Sequence, residues 1–125
     1  MRIRVAPPPT VYRSIKRQQS FLDRTDVEVF TAFTNDEALE IHRHEKVDLI
    51  ITDLDMPGMD IEQCCSLIRK DRMLNKVSLL MLCSRSSVAI EKSLRCGVNG
   101  LIIRPVDQAL LLARAQRLIH DARRL

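Results

Sequence analysis

The stretch I-I-T-D-L-D-M-P-G-M-D, residues 50–60, runs strand-forming residues into Asp53, adds Asp55 two places on, and breaks at Met56-Pro57-Gly58. A carboxylate that ends a strand caps a helix, shapes a turn or forms a site. Carboxylates gathered in one cleft repel each other and do not ionise together without a cation. A charged residue of opposite sign, Arg104, follows another apolar run in G-L-I-I-R-P-V-D at residues 100–107. An arginine there can pair with a carboxylate bidentately or bind phosphate, and both roles follow from the same charge. The run Val77 to Leu82 ends in Cys83 and Ser84, a thiol and a hydroxyl at the end of another apolar segment. A thiol beside a cation has a lowered pKa, which opens a redox role for Cys83, although small buried thiols are common in cores. Cys64 and Cys65 are adjacent and Cys96 stands alone, so neither a C-x-x-C pair nor zinc-ligand spacing exists. His42 and His44 lie two residues apart, face different directions on a helix and read, beside Glu45 and Lys46, as surface residues. His120 falls in a final helical turn, where positive charge suits the dipole. None of the three histidines is assigned to catalysis.

Elements that would hold these residues alternate along the whole chain. Ile3 to Val5 reads as a short strand, stopped by Pro7-Pro8-Pro9. Val11, Ile15, Gln18 and Leu22 recur at helical spacing. Val27 to Phe33 is β-branched and aromatic, a second strand. Thr34 with Glu37 forms a capping box that opens a helix to about Arg43. Val47 to Thr52 and Val77 to Leu82 are apolar on both faces, as parallel strands under helices tend to be. Between them Ile61, Cys64 or Cys65, and Ile68 mark a third helix. Ser86 to Arg95, with apolar Val88, Ile90 and Leu94, predicts a fourth, ended by Gly97 in a left-handed conformation. Leu101 to Ile103 is a fifth strand. Asp107 to Arg123 is a last helix, with a stripe through Leu111, Leu112, Ala115, Leu118 and Ile119. Five strand–helix repeats with short connections predict an α/β, doubly wound parallel sheet with helices on both faces. Ligands of such folds sit beyond the carboxyl ends of the strands, where Asp53 falls.

Composition narrows the alternatives. At 125 residues, 46% apolar and only 3% aromatic, the chain is one domain whose core is built from Leu, Ile, Val and Met. No apolar run is long enough to span a membrane and no signal-peptide pattern opens the chain, so a soluble, cytoplasmic domain is expected. The net charge of +4 is spread out, and the few aromatics offer little base stacking, which argues against nucleic-acid binding by this domain alone. The proline run after the first strand offers no N–H cradle for a nucleotide phosphate, which argues against a nucleotide-binding enzyme.

The segments Asp48 to Asp60 and Gly100 to Asp107 resemble the central and strand-five motifs of response-regulator receiver domains of two-component signalling. The resemblance covers essentially residues 1–125 and implies a flavodoxin-like (βα)5 fold with strand order 2-1-3-4-5. It makes Asp53 the phosphoacceptor for a histidine kinase. It implies Mg2+ held by an acidic pair after strand one, by the phosphoacceptor, and by the backbone carbonyl of Asp55. It further implies a Thr or Ser after strand four and a Lys before Pro105 to bind the phosphoryl oxygens, an aromatic switch in strand five, and a cis bond to Pro105. Several of these positions depart from the pattern. Ala6 and Pro7 stand where the acidic pair belongs, and no acidic residue occurs between Met1 and Phe21. Cys83, followed by Ser84, replaces the hydroxyl residue, Arg104 replaces the lysine, and Leu101 takes the switch position. Mg2+ is therefore expected to bind weakly or not at all.

The resulting expectation is a non-enzymatic receiver acting by protein–protein interaction, with weak or no phosphorylation. The alternatives are a fully phosphorylatable receiver and a Cys83-based redox sensor. The expected partners are a histidine kinase or other signalling protein and a C-terminal output domain of a longer regulator. A homodimer through the fourth helix, fifth strand and fifth helix completes the list.

Overall fold

The computed structural model describes residues 2–6 and 28–123. The helix expected over residues 11–22 and the proline run at 7–9 lie outside the described residues. Strands β1 (Arg2–Ala6), β2 (Glu28–Thr31), β3 (Leu49–Asp53), β4 (Ser78–Cys83) and β5 (Gly100–Ile103) alternate with helices α1 (Asn35–Glu45), α2 (Ile61–Lys70), α3 (Ser87–Arg95) and α4 (Gln108–Arg123). The expected fourth and fifth helices are thus α3 and α4. All pairings are parallel and the sheet order is β2-β1-β3-β4-β5.

The two central strands show why both faces must be covered. Leu49 and Ile51 of β3, with Leu80 and Leu82 of β4, point to one side and pack on Leu111, Ala115 and Ile119 of α4. Ile50, Leu79 and Met81 point to the other and pack on Leu39 of α1 and Ile61, Cys64, Cys65 and Ile68 of α2. Both Cys64 and Cys65 belong to the buried face of α2. Fully burying one such Leu or Ile is worth about 2 kcal/mol, so β3 is fixed more firmly than any turn residue that follows it.

Local signals set the helix starts. The Thr34 hydroxyl accepts the Glu37 N–H at 3.2 Å, and Glu37 Oε2 accepts the Phe33 N–H at 3.2 Å. This cap ends β2 earlier than the apolar run suggests, at Thr31, and leaves Phe33 62% exposed. Ser86 and Asp60 cap α3 and α2 through their side chains. Gly97 has φ +70°, the left-handed geometry expected after α3. The buried face of α3 departs from expectation: Ala89 and Ser93 face the sheet, whereas Val88 and Leu94 are exposed.

His42 is also corrected. It is 2% exposed, not a surface residue, because Asn35, Ala38, Leu39 and His42 form the buried stripe of α1. Its Nδ1 accepts the Val47 N–H at 3.1 Å, so the ring proton sits on Nε2, which donates to the Leu74 carbonyl at 3.0 Å. Burial lowers its pKa, and Lys46 adds to that. The Leu74 hydrogen bond and the charges of Asp48 and Asp71 oppose the shift without reversing it. Protonating Nδ1 would set two donors against each other. Because the folded pKa is lowered, the unfolded chain binds the extra proton first. The neutral ring therefore favours the fold fully above the ordinary value near 6.5, and that contribution falls as pH drops below it. Urea midpoints measured from pH 7.5 to 5 should decline for the native chain and decline less for His42→Asn. Equal slopes would refute the assignment.

Candidate functional site

Asp53 is the last residue of β3 and is 0% exposed. The strand beside it on one side ends at Cys83, and on the other Ala6 of β1 lies opposite Thr52. Leu54 N–H continues the ladder to the Leu82 carbonyl at 2.9 Å, after which the chain turns, with Met56 N–H bonded to the Asp53 carbonyl at 3.1 Å. Asp53 Oδ1 accepts the Asp55 N–H at 2.8 Å. Among the described residues Oδ2 accepts no aligned hydrogen bond, and it lies in ion-pair contact with Arg104 Nη2. The second guanidinium nitrogen, Nη1, stands 3.9 Å from Asp55 Oδ2, whose side chain is 72% exposed.

Arg104 reaches this place because it directly follows β5. Its N–H bonds the Cys83 carbonyl at 2.9 Å, which extends the β4–β5 ladder by one step. The Arg104–Pro105 peptide is cis. Cys83 is 0% exposed, Ser84 is exposed just past it, and Leu101 is half-buried against the core on the α1–α2 face. Ala6 ends β1 without a polar side chain, and Pro7 lies outside the described residues. Among the described residues no three His, Cys, Asp or Glu side chains are grouped so as to hold a metal ion.

The loop after Asp53 has a second anchor that sequence reasoning missed. Asn35, 1% exposed, donates through Nδ2 to the Met59 carbonyl at 2.9 Å and the Met56 carbonyl at 3.4 Å. Its own N–H bonds the Pro57 carbonyl at 3.0 Å, and its Oδ1 accepts the Thr52 hydroxyl at 3.4 Å. Asp36 Oδ1 accepts the Met59 N–H. Gly58 has φ +101°, and a Cβ there would lie 2.9 Å from both Asp36 Oδ1 and Thr34 Cβ. The start of α1 therefore holds the Met56–Met59 loop from outside, while Asp53 and Arg104 hold its inner end. The only sequence signal was Asn35 inside a capping box, where a short polar residue needs no further role.

A doubly wound sheet that buries an aspartate at the end of its central strand, against a basic residue after the last strand, is a receiver-type architecture. The profile of the response regulator receiver domain family matches residues 12–116, and the chain belongs to that family. It is a receiver domain of the response regulators of two-component signalling, a family of signalling modules that normally bind Mg2+. The chain is 26% identical over 104 residues to the transcriptional regulatory protein AfsQ1 of Streptomyces coelicolor, covering 82% of this chain and 45% of that protein. It is 32% identical over 93 residues to the probable transcriptional regulator ycf27 of Cyanidium caldarium, covering 74% and 36%. The chain thus spans under half the length of these relatives. Among solved structures, the receiver domain of a signal transduction histidine kinase from Syntrophus aciditrophicus superposes with a TM-score of 0.81 at 24% identity, covering 99% of this chain and 93% of that one. The chemotaxis response regulator CheY4 of Vibrio cholerae gives 0.75 at 24% identity, covering 94% and 98%. Both carry the same fold. No helix among the described residues is long and apolar enough to cross a membrane.

Proposed function

We propose that this receiver works as a protein-interaction module whose output does not depend on ordinary aspartyl phosphorylation, with Arg104 as the fixed counter-ion of Asp53. The observation that carries the reading is the Arg104 guanidinium, which meets Asp53 Oδ2 and approaches Asp55 Oδ2. Mg2+ needs hard oxygen ligands in a near-octahedral set. The described residues offer two carboxylates already faced by a cation, and Ala6 and Pro7 supply no side-chain oxygen. This donor set does not fit the family's metal.

Phosphoryl transfer depends on positioning and on neutralising the charge that develops on the phosphoryl oxygens. A guanidinium engaged with the acceptor carboxylate neutralises the acceptor, not the incoming group. Cys83 and Leu101 in place of a hydroxyl and an aromatic ring also remove the groups that would report phosphate. Enclosure of Cys83 in the sheet argues against its use as a redox sensor. Partner contact is assigned to the face of α3, β5 and α4, where Val88, Leu94 and Leu110 are exposed. A histidine kinase or other signalling protein, a second copy, or an output domain joined to the chain are the partners this reading implies.

The competing reading is a phosphorylatable receiver, favoured by one observation: Arg104 is 32% exposed and its N–H fork matches a phosphate as well as a carboxylate. Incubation with acetyl phosphate and Mg2+, followed by intact mass measurement, separates the two. The expected result is no labile phosphoryl adduct, none with beryllofluoride, and no rise in melting temperature with Mg2+. An adduct that disappears in Asp53→Asn overturns the proposal.

A further inference from the structure

We propose that the outer side of α4 and the start of β5 form a binding groove for a small phosphate monoester that carries hydroxyl groups. Arg114, Arg117, Leu118 and Asp121 recur at spacings of three and four, so they share one side of α4, next to its buried stripe of Leu111, Ala115 and Ile119. With Asn99 and Gly100 they line a groove of about 290 Å³, at the end of the sheet away from Asp53. That volume lies near the lower limit of small-molecule sites. Gly100 keeps the floor open. A Cβ there would lie 2.9 Å from Leu80 Cδ1 and 4.0 Å from Leu118 Cδ1, so the groove tolerates no side chain where β5 begins.

The charges of this groove are unspent. Arg43, Arg69, Arg95 and Arg104 each meet a carboxylate or a carbonyl. Among the described residues the guanidinium groups of Arg114 and Arg117 meet neither, and both side chains are exposed. Asp121, one turn beyond Arg117, offsets only one of the two charges, so the groove stays cationic. Asn99 adds a neutral donor. Its Oδ1 accepts the Leu79 N–H at 2.7 Å and Arg69 Nη2 at 3.0 Å, which fixes the amide plane. Its Nδ2 has no acceptor among the described residues.

Two planar forks and an amide suit a phosphate, whose oxygens accept bidentately from a guanidinium. Asp121 divides the groove, because its carboxylate repels an anion at that end and accepts a hydroxyl hydrogen instead. A hydroxyl-bearing phosphate monoester satisfies both ends, with its phosphate on Arg114 and Arg117 and its hydroxyl toward Asp121. Such a ligand would bridge α4 to the turn before β5 and favour the folded chain by its own affinity. The inference is independent of whether Asp53 accepts a phosphoryl group.

Glycerol 1-phosphate and methyl phosphate, titrated separately into the full chain at low salt and followed by amide chemical shifts, test it. The expected result is saturable movement at Asn99, Gly100 and residues 114–121, with none at Asp53 or Arg104. Glycerol phosphate should bind more tightly than methyl phosphate. Asp121→Ala should bind both more tightly and no longer distinguish them. Arg114→Gln and Arg117→Gln should each weaken binding about tenfold, whereas Arg72→Gln, at another exposed arginine, should not. All four substitutions fall at exposed positions and leave the fold in place. Shifts confined to Asp53 and Arg104, equal affinity for the two esters, or an equal loss in Arg72→Gln overturns the proposal. So does the lack of saturation up to about 10 mM ligand.

Discussion

Replacing Arg104 by alanine is expected to cost the fold about 3 kcal/mol, because it leaves a wholly enclosed carboxylate without its counter-charge. Asp53 is 0% exposed, Oδ1 is satisfied by one backbone N–H, and among the described residues Oδ2 has the guanidinium alone. A buried carboxylate stripped of its partner must take up a proton or open the loop to water, and either response lowers stability. In a domain of this size the loss corresponds to roughly 10 °C in melting temperature. Asp53→Asn should behave differently. It removes the charge that needs a partner and leaves Arg104, already 32% exposed, free to hydrate. The single change should therefore lie within about 1 kcal/mol of the native chain, as near-isosteric removal of an ion pair often does. The double variant Arg104→Ala with Asp53→Asn should recover most of the lost stability. Urea denaturation of all four chains gives the coupling energy, expected at about 2 kcal/mol. Additive effects would mean that the contact does not hold the carboxylate, and the counter-ion role of Arg104 would fall with it.

The sheet was legible because its signals are local and repeated. Apolar runs at 47–52 and 77–82 lack polar alternation, which in a chain of alternating elements means strands covered on both faces. The place of Asp53 followed from the same runs, since a parallel strand presents its end to the ligand crevice. What escaped were small and polar residues used at long range. Ala89 and Ser93 are the buried residues of α3. A reading that ranks positions by size chooses Val88 and Leu94, which face solvent. His42 was read from its charged neighbours in sequence, although its spacing from Ala38 and Leu39 already placed it on the buried stripe of α1. Asn35 bonds residues 21 and 24 positions away, a relation visible only after the sheet is assembled.

Arg69 is the other such residue, and its removal should rank with that of Arg104. From the last turn of α2 its Nη1 donates to the carbonyls of Asn75 at 2.8 Å and Val77 at 2.7 Å. Nη2 donates to the Gly97 carbonyl at 2.7 Å and to Asn99 Oδ1 at 3.0 Å. Asn99 Oδ1 also accepts the Leu79 N–H at 2.7 Å, so one side chain joins the turn before β4 to the turn before β5. Burial lowers the guanidinium's pKa, yet from so high an ordinary value that the charge survives at neutral pH. Hydrogen bonds from a charged donor contribute about 1.5–3 kcal/mol each when enclosed and less at the surface. Arg69→Ala should accordingly cost about 3 kcal/mol, and Arg69→Lys most of that, because an ammonium cannot serve four acceptors arranged for a planar fork. Amide exchange should accelerate first at Leu79 and Asn99, where the two turns meet the sheet. A lysine variant as stable as the native chain would show that charge alone suffices and that the fork geometry is incidental. The expected loss would instead make α2 the strut that sets where α3 and β5 begin, and so where the partner-facing side of the domain is held.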